Sequence, residues 1–560
     1  MMMAKKLIKD DFRIAVSQLN PIVGDIEGNF VLAKMAHQKA QQQGADLVLL
    51  TELFISAYPP EDLVLKPAFT KACENAIKKL AKVTKEGPGI IIGAPIKRGD
   101  VIYNGVVLLD NGQVITEYLK FDLPNYLEFD EKRVFSPGPS PEPIVYRGIT
   151  LGIVVCEDIW NDSSICTEFR NKGAEFILVS NGSPYCHNKI LKRMSIVRAQ
   201  AIQAGVPVIY ANQVGGQDEL IFDGGSFALN EQGTVAFQMK HFESHIAVSH
   251  WQRKSIGWQC VSGPNEKLLG GVAADYHACV LGLRDYVNKN GFKDVILGLS
   301  GGIDSALCAA IATDALGAER VHAVMMPYHY TSEESLQDAK DCAHFLDCHY
   351  EIIPIVQPVE NFLSIMAPIF SGLPSDITEE NLQSRVRGTI LMALSNKFGS
   401  MVITTGNKSE MAVGYATLYG DMNGGFNPIK DIYKMQVYAL AEWRNKNHLP
   451  NFLGAEGVVI PPNIIKKAPS AELRENQKDE DFLPPYPILD DILQSLVEND
   501  MSVDEIVKCG HLRETVEKVE HLLYVAEHKR RQSAPGIKIS SKNFGRDRRY
   551  PITNYFRDKS

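Results

Sequence analysis

Residues 294–316, DVILGLSGGIDSALCAAIATDAL, limit what this chain can fold into more than any other stretch. An apolar run, a tight glycine turn and an alanine-rich run follow one another directly, which reads as strand, turn and helix. RVHAVMM, YEIIPI and SMVITTG read as three further strands, each separated from the next by a helical stretch. Strands spaced by helices build parallel sheets, so this half reads as a doubly wound α/β domain. The turn is not a Walker A loop, because no Gly-Lys-Ser/Thr follows it. Its glycines let a ligand approach the backbone, and the amides of residues 300–305 open a helix N-terminus. Unpaired N–H groups and the helix dipole hold an anion there.

The preceding half alternates in the same manner. FRIAVSQL and DLVLLTE read as strands with GNFVLAKMAHQKAQQQ between them as a helix, and GIIIGAP, VIYNGVVLLD, LGIVVC, FILVSNG and VPVIYAN read as further strands. The mixture of βα units and hairpin-like pairs fits an α/β domain. Between 240 and 268 the pattern fades into polar, Trp-containing sequence. The expected division is therefore 1–268 and 269–560.

Composition sets bounds. The chain has 560 residues, 45% of them apolar and 22% charged, enough for at least two sizeable cores. A net charge of −9 argues against wholesale nucleic-acid binding. No run approaches the length of a membrane span, and the opening residues contain no apolar leader. The ten cysteines form no CxxC pair, so neither a zinc site nor a disulfide framework is expected, and the reading is a cytoplasmic enzyme.

Cys156 ends the apolar run LGIVVC and is followed by Glu157 and Asp158. A free thiol with a pKa of about 8.5 is only slightly ionised at neutral pH, and negative neighbours discourage its ionisation further. Taken alone, such a cysteine is a packing residue. Two other strand ends alter this reading: Glu52 closes LVLLTE, and Lys120 precedes the Pro, Tyr and acid cluster FDLPNYLEFDEKRVF. A base, a cation and a thiol at three strand ends suit nucleophilic attack on an amide. Through TELF, K-x3-PNY and VCEDIW, residues 1 to about 260 resemble the nitrilase superfamily. That resemblance implies an αββα sandwich with Glu52 as general base, Lys120 as oxyanion partner and Cys156 as nucleophile. Its glutaminase members imply glutamine contacts from Tyr126, Ser183 and Lys189, the last two in NGSPYCHNK, with Glu157 also serving the substrate.

The SGGxDS turn resembles the pyrophosphate loop of the N-type ATP pyrophosphatases, which implies ATP contacts from Gly298, Leu299, Ser300, Gly301, Gly302, Ile303, Asp304 and Ser305. Thr405, in TTGNKSE, is a further ATP contact. An unpaired Asp304 inside an anion nest would repel phosphate, a conflict that Mg²⁺ held by Asp304 and Glu410 removes. The flanks MPYHYTSEESLQDA, ENLQSRVRGTILMALSN, GYATLYGDMNGGFNPIKDIYK and PSAELRENQKDEDFLPPYPILD resemble the NAD⁺ synthetases, in their two-domain, glutamine-dependent form. The resemblance implies deamido-NAD⁺ contacts from Asn381, Arg387, Glu410, Asp421, Lys434 and Lys529. It also implies an acyl-adenylate, an ammonia tunnel, and a dimer of synthetase domains that can build larger assemblies such as octamers. Arg385 and Arg387 lie two apart on a predicted helix, so only one faces inward. Residues 470–485 read as a mobile loop over the site. The basic segment 529–549 reads by itself as a solvated tail; the resemblance implies that it closes over the dinucleotide phosphates, with Lys529 first.

Two other readings stay open on sequence. An amidase fused to an RNA-modifying ATP pyrophosphatase would bind nucleic acid with strong salt dependence. A scaffold with dead sites would be expected to have lost Glu52, Lys120, Cys156 or part of the SGGxDS turn, and none is lost.

Overall fold

The computed structural model describes residues 10–160, 165–255 and 257–558. They divide between Leu269 and Gly270 into two compact units, with Asp218–Leu220 grouped with the second. No helix among the described residues is long and apolar enough to cross a membrane.

The first unit contains β1 (Asp11–Gln18), α1 (Ile26–Gln42), β2 (Leu47–Leu49), α2 (Pro67–Val83), β3 (Gly89–Arg98), β4 (Val101–Asp110) and β5 (Gln113–Leu119). It continues with β6 (Ile144–Tyr146), β7 (Ile149–Val155), α3 (Ile165–Asn171), β8 (Phe176–Asn181), α4 (Lys189–Ala204) and β9 (Val208–Asn212). A hairpin of β10 (Val214–Gln217) and β11 (Leu220–Asp223) precedes β12 (Phe227–Leu229), β13 (Val235–Gln238), β14 (His245–Lys254) and β15 (Gly257–Ser262).

Two sheets result, ordered β15-β14-β1-β2-β3-β4-β5 and β13-β12-β9-β8-β7-β6. Between them Ile14, Val16, Leu49 and Val106 of the first meet Leu151, Ile153, Phe176 and Leu178 of the second. The opposite faces are apolar too. Val48, Ile90 and Ile92 lie with Ala33, Ala36 and Leu80 of α1 and α2, while Val154, Ile177 and Val208 lie with Phe169, Val197 and Ala201 of α3 and α4. Strands buried on both faces must be apolar throughout, which is why these runs carry no polar alternation. The result is four layers, helix–sheet–sheet–helix.

One expectation is corrected here. The polar stretch after 240 is not a fading connector: β14 pairs antiparallel with all of β1, from Asp11↔Gln252 to Gln18↔His245, and then with β15. Ser249 and Trp251 are fully covered while several neighbours stay partly exposed, so the strand shows only a weak alternating pattern. β5 was equally hidden, because most of its residues are solvent-facing.

The second unit opens with α5 (Gly271–Lys289), β16 (Val295–Gly298), α6 (Ile303–Leu316), β17 (Val321–Met325), α7 (Glu333–Leu346), β18 (His349–Ile352) and α8 (Val356–Met366). It continues with α9 (Ile377–Phe398), β19 (Met401–Val402), α10 (Lys408–Val413), α11 (Lys434–Lys446) and α12 (Pro462–Lys466). It ends with α13 (Tyr486–Val497), α14 (Val503–Lys508), α15 (Arg513–Val525) and α16 (Glu527–Arg530). The sheet is wholly parallel, ordered β18-β17-β16-β19. The chain steps outward from β16 to β18 and then returns to the other side of β16. That reversal leaves a crevice beyond the carboxyl ends of β16 and β19, where open α/β sheets bind ligands. α6 is buried on nearly every side; its alanines let it lie close to the sheet. α10, α13, α14 and α15 share a separate helical core around Leu489, Ile492, Val516 and Val519.

Candidate active sites

In the first unit, three strand ends bring an acid, a lysine and a thiol together in the interior. Glu52, in the turn after β2, and Lys120, directly after β5, are both fully buried. The Lys120 ammonium donates to Glu52 Oε1 at 2.7 Å and to Glu131 Oε1 at 2.7 Å. Glu131, in a short 3₁₀ turn at Glu131–Arg133, also accepts from the Tyr58 hydroxyl at 2.9 Å. Asn104 of β4 donates to Glu52 Oε1 at 2.7 Å and to Glu131 Oε2 at 3.3 Å. The Gly182 amide donates to Glu52 Oε2 at 2.9 Å. Burial opposes the Lys120 charge, but Glu131 and Glu52 outweigh it and hold the ammonium well above its ordinary pKa. For Glu131 burial is the stronger influence and raises its pKa.

Cys156 begins the 3₁₀ turn that follows β7 and takes φ 45°, a left-handed conformation unusual for a side-chain-bearing residue. Burial, and then the charge of Glu52, push its thiol well above the ordinary value, against the pull of Lys120. The resting residue is a thiol, so a base must take its proton as the sulfur attacks.

The two acids after Cys156 divide their roles. Asp158 accepts the backbone N–H groups of Phe121 (3.0 Å), Asp122 (2.7 Å) and Val155 (3.1 Å), tying the chain after Lys120 to the cysteine turn. Burial raises its pKa to about 7. Glu157 instead accepts from the half-exposed Tyr126 hydroxyl at 2.9 Å. Ser183 is buried, its N–H bound to Asn212 and its carbonyl to Asn212 and Arg193. The Lys189 ammonium, at the start of α4, lies 3.8 Å from Glu128 and 5.9 Å from the centre of the Trp160 ring. The structure thus gathers Glu52, Lys120 and Cys156 in one interior cluster, and pairs Glu157 with Tyr126. Glu131, Asn104 and Tyr58 went unnoticed in sequence; the only signal was the density of acids in LEFDEKR.

In the second unit, the crevice beyond β16 and β19 is a cavity. All eight residues 298–305 line it, with Arg387, Thr405, Glu410, Asp421 and Lys434. The turn is braced internally: the Ser300 N–H donates to Ser305 Oγ at 3.2 Å, and Ser305 Oγ donates to the Gly302 carbonyl at 3.0 Å. Gly301 has φ 81°, and a Cβ there would lie 2.4 Å from the Ser335 carbonyl oxygen, so only glycine lets the turn pass α7.

Asp304 is not the unpaired acid expected. It meets the Lys434 ammonium and accepts from Asn407 Nδ2 at 2.8 Å. The same ammonium lies 3.2 Å from Glu410 Oε1, and its cationic head is 5.2 Å from the centre of the Tyr486 ring. Burial raises Glu410 to about 8 despite Lys434, while Asp304 and Glu410 together hold Lys434 above its ordinary value against its burial. Asp304 and Glu410 meet at the Lys434 ammonium, and two carboxylates this close could also hold a small divalent cation. Among the described residues no cluster of three or more His, Cys, Asp or Glu could hold a metal by itself.

Arg387 faces the cavity, its Nε donating to the Met326 carbonyl at 3.0 Å, while Arg385 is exposed. Asp421, raised by burial to about 6, accepts from the Thr417 N–H at 2.8 Å. Asn381 and Lys529 are not on the cavity wall. Asn381 accepts from the Thr417 hydroxyl at 2.8 Å, and Lys529 donates to the carbonyls of Gly414 and Ala416, so both hold the loop that carries Asp421. The basic segment is not a free arm either. Arg530 and Arg548 pair with Glu527, Lys538 pairs with Asp547, and only Ser533 and Ala534 of this segment reach the wall. Residues 467–473 do line the cavity; there Glu472 accepts from the hydroxyls of Ser332 and Ser335 at 2.8 Å.

The carbon-nitrogen hydrolase family matches residues 13–258, and the NAD synthase family matches residues 275–533. The chain is thus of the class that joins a carbon-nitrogen hydrolase unit to a synthetase unit. It is 48% identical to the glutamine-dependent NAD(+) synthetase of Rhodobacter capsulatus, over 98% of this chain and 100% of that one. It is 44% identical to the enzyme of the same name from Acinetobacter baylyi, over 98% and 99%. The solved structure of the Acinetobacter baumannii glutamine-dependent NAD+ synthetase, in complex with ADP, aligns with a TM-score of 0.78 at 40% identity, covering 98% of this chain and 100% of that one. The chain belongs to the family of glutamine-dependent NAD(+) synthetases, enzymes that amidate deamido-NAD⁺ at the expense of ATP with nitrogen from glutamine, the last step of NAD⁺ biosynthesis.

Proposed function

We propose that the first unit releases ammonia from glutamine at Cys156 and that the second uses it to make NAD⁺ from deamido-NAD⁺. Glu52 takes the thiol proton as sulfur attacks the side-chain amide carbon, and Lys120 meets the negative charge that develops on its oxygen. Glu52 then gives the proton to the departing ammonia and activates the water that frees glutamate. Tyr126, Glu157, Ser183 and Lys189 hold the amino-acid end: Glu157 suits the α-ammonium, and Lys189 the α-carboxylate. The observation that carries this reading is the buried Lys120–Glu52 contact at 2.7 Å beside a strained, neutral Cys156.

In the second unit, the carboxylate of deamido-NAD⁺ attacks the α-phosphorus of ATP, and pyrophosphate departs against the amides of residues 300–305, with Thr405 on the nucleotide. Ammonia then displaces AMP from the acyl-adenylate. Arg387 and Asp421 contact deamido-NAD⁺; Asn381 and Lys529 act on it through the loop they hold. Asp304 and Glu410 would hold Mg²⁺ with phosphate oxygens, where it lowers the charge opposing attack. Lys434 serves as counter-ion to both acids. The loop at 470–485 closes over the nucleotide.

We assign the enzyme to the cytoplasm, in keeping with ten cysteines that form no CxxC pair. It assembles through synthetase units, first as dimers. Phe362, Ile365, Ile369, Leu373 and Ile377 expose more than half their surface along the end of α8, the turn beyond it and the start of α9, and a second copy covers them.

The test is NAD⁺ formation from deamido-NAD⁺ and Mg·ATP by wild type and Cys156→Ala, each with glutamine or ammonium. Glutamine-driven synthesis by the mutant is expected to fall below about a thousandth of wild type, with ammonium-driven synthesis kept. A mutant still active with glutamine would make Cys156 a packing residue.

A further inference from the structure

Asn104 lies in β4 opposite Pro95 of β3, and its side chain is fully buried. Its carbonyl accepts the Lys120 N–H at 2.8 Å, which fixes the start of the lysine side chain. Its amide nitrogen has two hydrogens, and each points at a different carboxylate: Glu52 at 2.7 Å and Glu131 at 3.3 Å. The orientation of the amide is not ambiguous. Turned over, it would set its oxygen against two carboxylates that already share one ammonium. As oriented, Oδ1 is buried and makes no hydrogen bond. Among the described residues nothing uses the oxygen of this amide; its nitrogen does the bonding.

The charge balance says why a neutral donor stands here. Two buried carboxylates face a single cation, Lys120, so the carboxylates outnumber the cations in this buried cluster. A second cation would even the count, but would also bind the base so tightly that it could no longer take a proton. A neutral amide steadies both carboxylates and adds no charge. It also fixes which Glu52 oxygen is occupied. Oε1 takes Lys120 and Asn104, whereas Oε2 takes only the Gly182 N–H.

We propose that Asn104 is a positioning residue of the glutamine-hydrolysing site, bridging Glu52 and Glu131 so that Glu52 is held in place with Oε2 directed for proton transfer. This rests on the reading of Glu52 as the base. The charged and titratable groups around the bridge are Lys120, Glu131, Tyr58, Cys156 and Glu157. Of these, only Lys120 is a cation. Without the amide, Glu52 and Glu131 lose the donor they share, and Oε1 of Glu52 loses the partner that orients the base.

The experiment compares full-length wild type, Asn104→Ala, Asn104→Ser and Asn104→Asp, with Cys156→Ala as reference. Glutamine-driven and ammonium-driven NAD⁺ formation are both followed. For Asn104→Ala, kcat with glutamine is expected to fall about 10- to 100-fold. KM for glutamine should stay within about threefold. Ammonium-driven synthesis should be kept. Asn104→Ser, too short to reach either carboxylate, should match it and guards against a folding defect peculiar to alanine. Asn104→Asp keeps the shape and replaces only the bonding nitrogen, so it should be the slowest of the three. An unchanged kcat in the alanine and serine variants would overturn the proposal, as would an aspartate variant as active as wild type. A loss seen only in KM would make Asn104 a substrate contact instead. Should Cys156→Ala keep glutamine-driven synthesis, the fault lies with the glutaminase reading itself and not with the bridge.

Discussion

Glu410 shows how a single residue sets a pH response. Burial raises it to about 8, so at neutrality it is largely protonated before ligand arrives. If the ionised form is what meets a metal–nucleotide complex, binding must expel that proton. Affinity for Mg·ATP should then rise from pH 7 to 9. Calorimetry in buffers of different ionisation enthalpy should register up to one proton released near neutrality. In Glu410→Gln both the release and the rise should vanish. A wild-type affinity that stays flat across this range would mean that the acid is not a ligand. The residue scale also shows where sequence reading stopped. Glu52, Lys120 and Cys156 could be named in sequence because each sits in a short motif, TELF, K-x3-PNY or VCEDIW, that carries the nitrilase resemblance. Glu131 was not, because nothing local distinguishes it from its acidic neighbours: only the fold brings it within 2.7 Å of Lys120. Lys434 was named only through the family resemblance. A lysine opening a polar helix reads as solvated, yet here it is buried against two acids.

At the scale of elements, the two sites depend on close backbone passages that glycine alone permits. A Cβ on Gly93 of β3 would lie 2.1 Å from the Leu53 nitrogen and 2.6 Å from the Glu52 carbonyl carbon. Gly93→Ala should therefore push the Glu52 turn aside and abolish glutamine-driven synthesis, while ammonium still supports NAD⁺ formation. Gly301→Ala should abolish synthesis with either nitrogen source, since its Cβ would meet α7 and its φ of 81° is costly for alanine. Steady-state assays with both sources separate the two cases, and a Gly93→Ala enzyme equally active with both would refute the first. Elements buried on both faces were the legible ones: β7, β8 and β9 read directly from apolar runs. β5 and β14 were missed because each presents one face to solvent, and their polar residues masked the alternation. In the C-terminal segment, the family resemblance, on a stretch rich in basic residues, suggested a phosphate cover. The stretch is basic, but most of these cations are consumed by internal pairs such as Lys538–Asp547 and Arg530–Glu527. Sequence counts charges and cannot see which have partners.

At the scale of the whole molecule, assembly is the open quantity. The apolar strip from Phe362 to Ile377 is expected to be the seam between copies, so Ile365→Asp with Ile369→Asp should convert the enzyme to a smaller species in sedimentation velocity. An unchanged sedimentation coefficient would move the seam elsewhere. The net charge of −9 and the internally paired C-terminus leave the RNA-binding reading without a basic surface. The nucleotide cavity carries a related consequence. Beside Glu410, which burial raises to about 8, its wall holds Asp304, Asp421, Glu472 and Asp479 against Arg387, Lys434 and Lys467, so acids still outnumber cations where a polyanion must enter. Such a doorway discriminates by valence. Bare ATP meets a wall of its own sign, whereas ATP accompanied by a divalent cation arrives with much of that opposition removed. The same excess of acid offers departing pyrophosphate little reason to linger, so a wall that screens what enters also hastens what leaves.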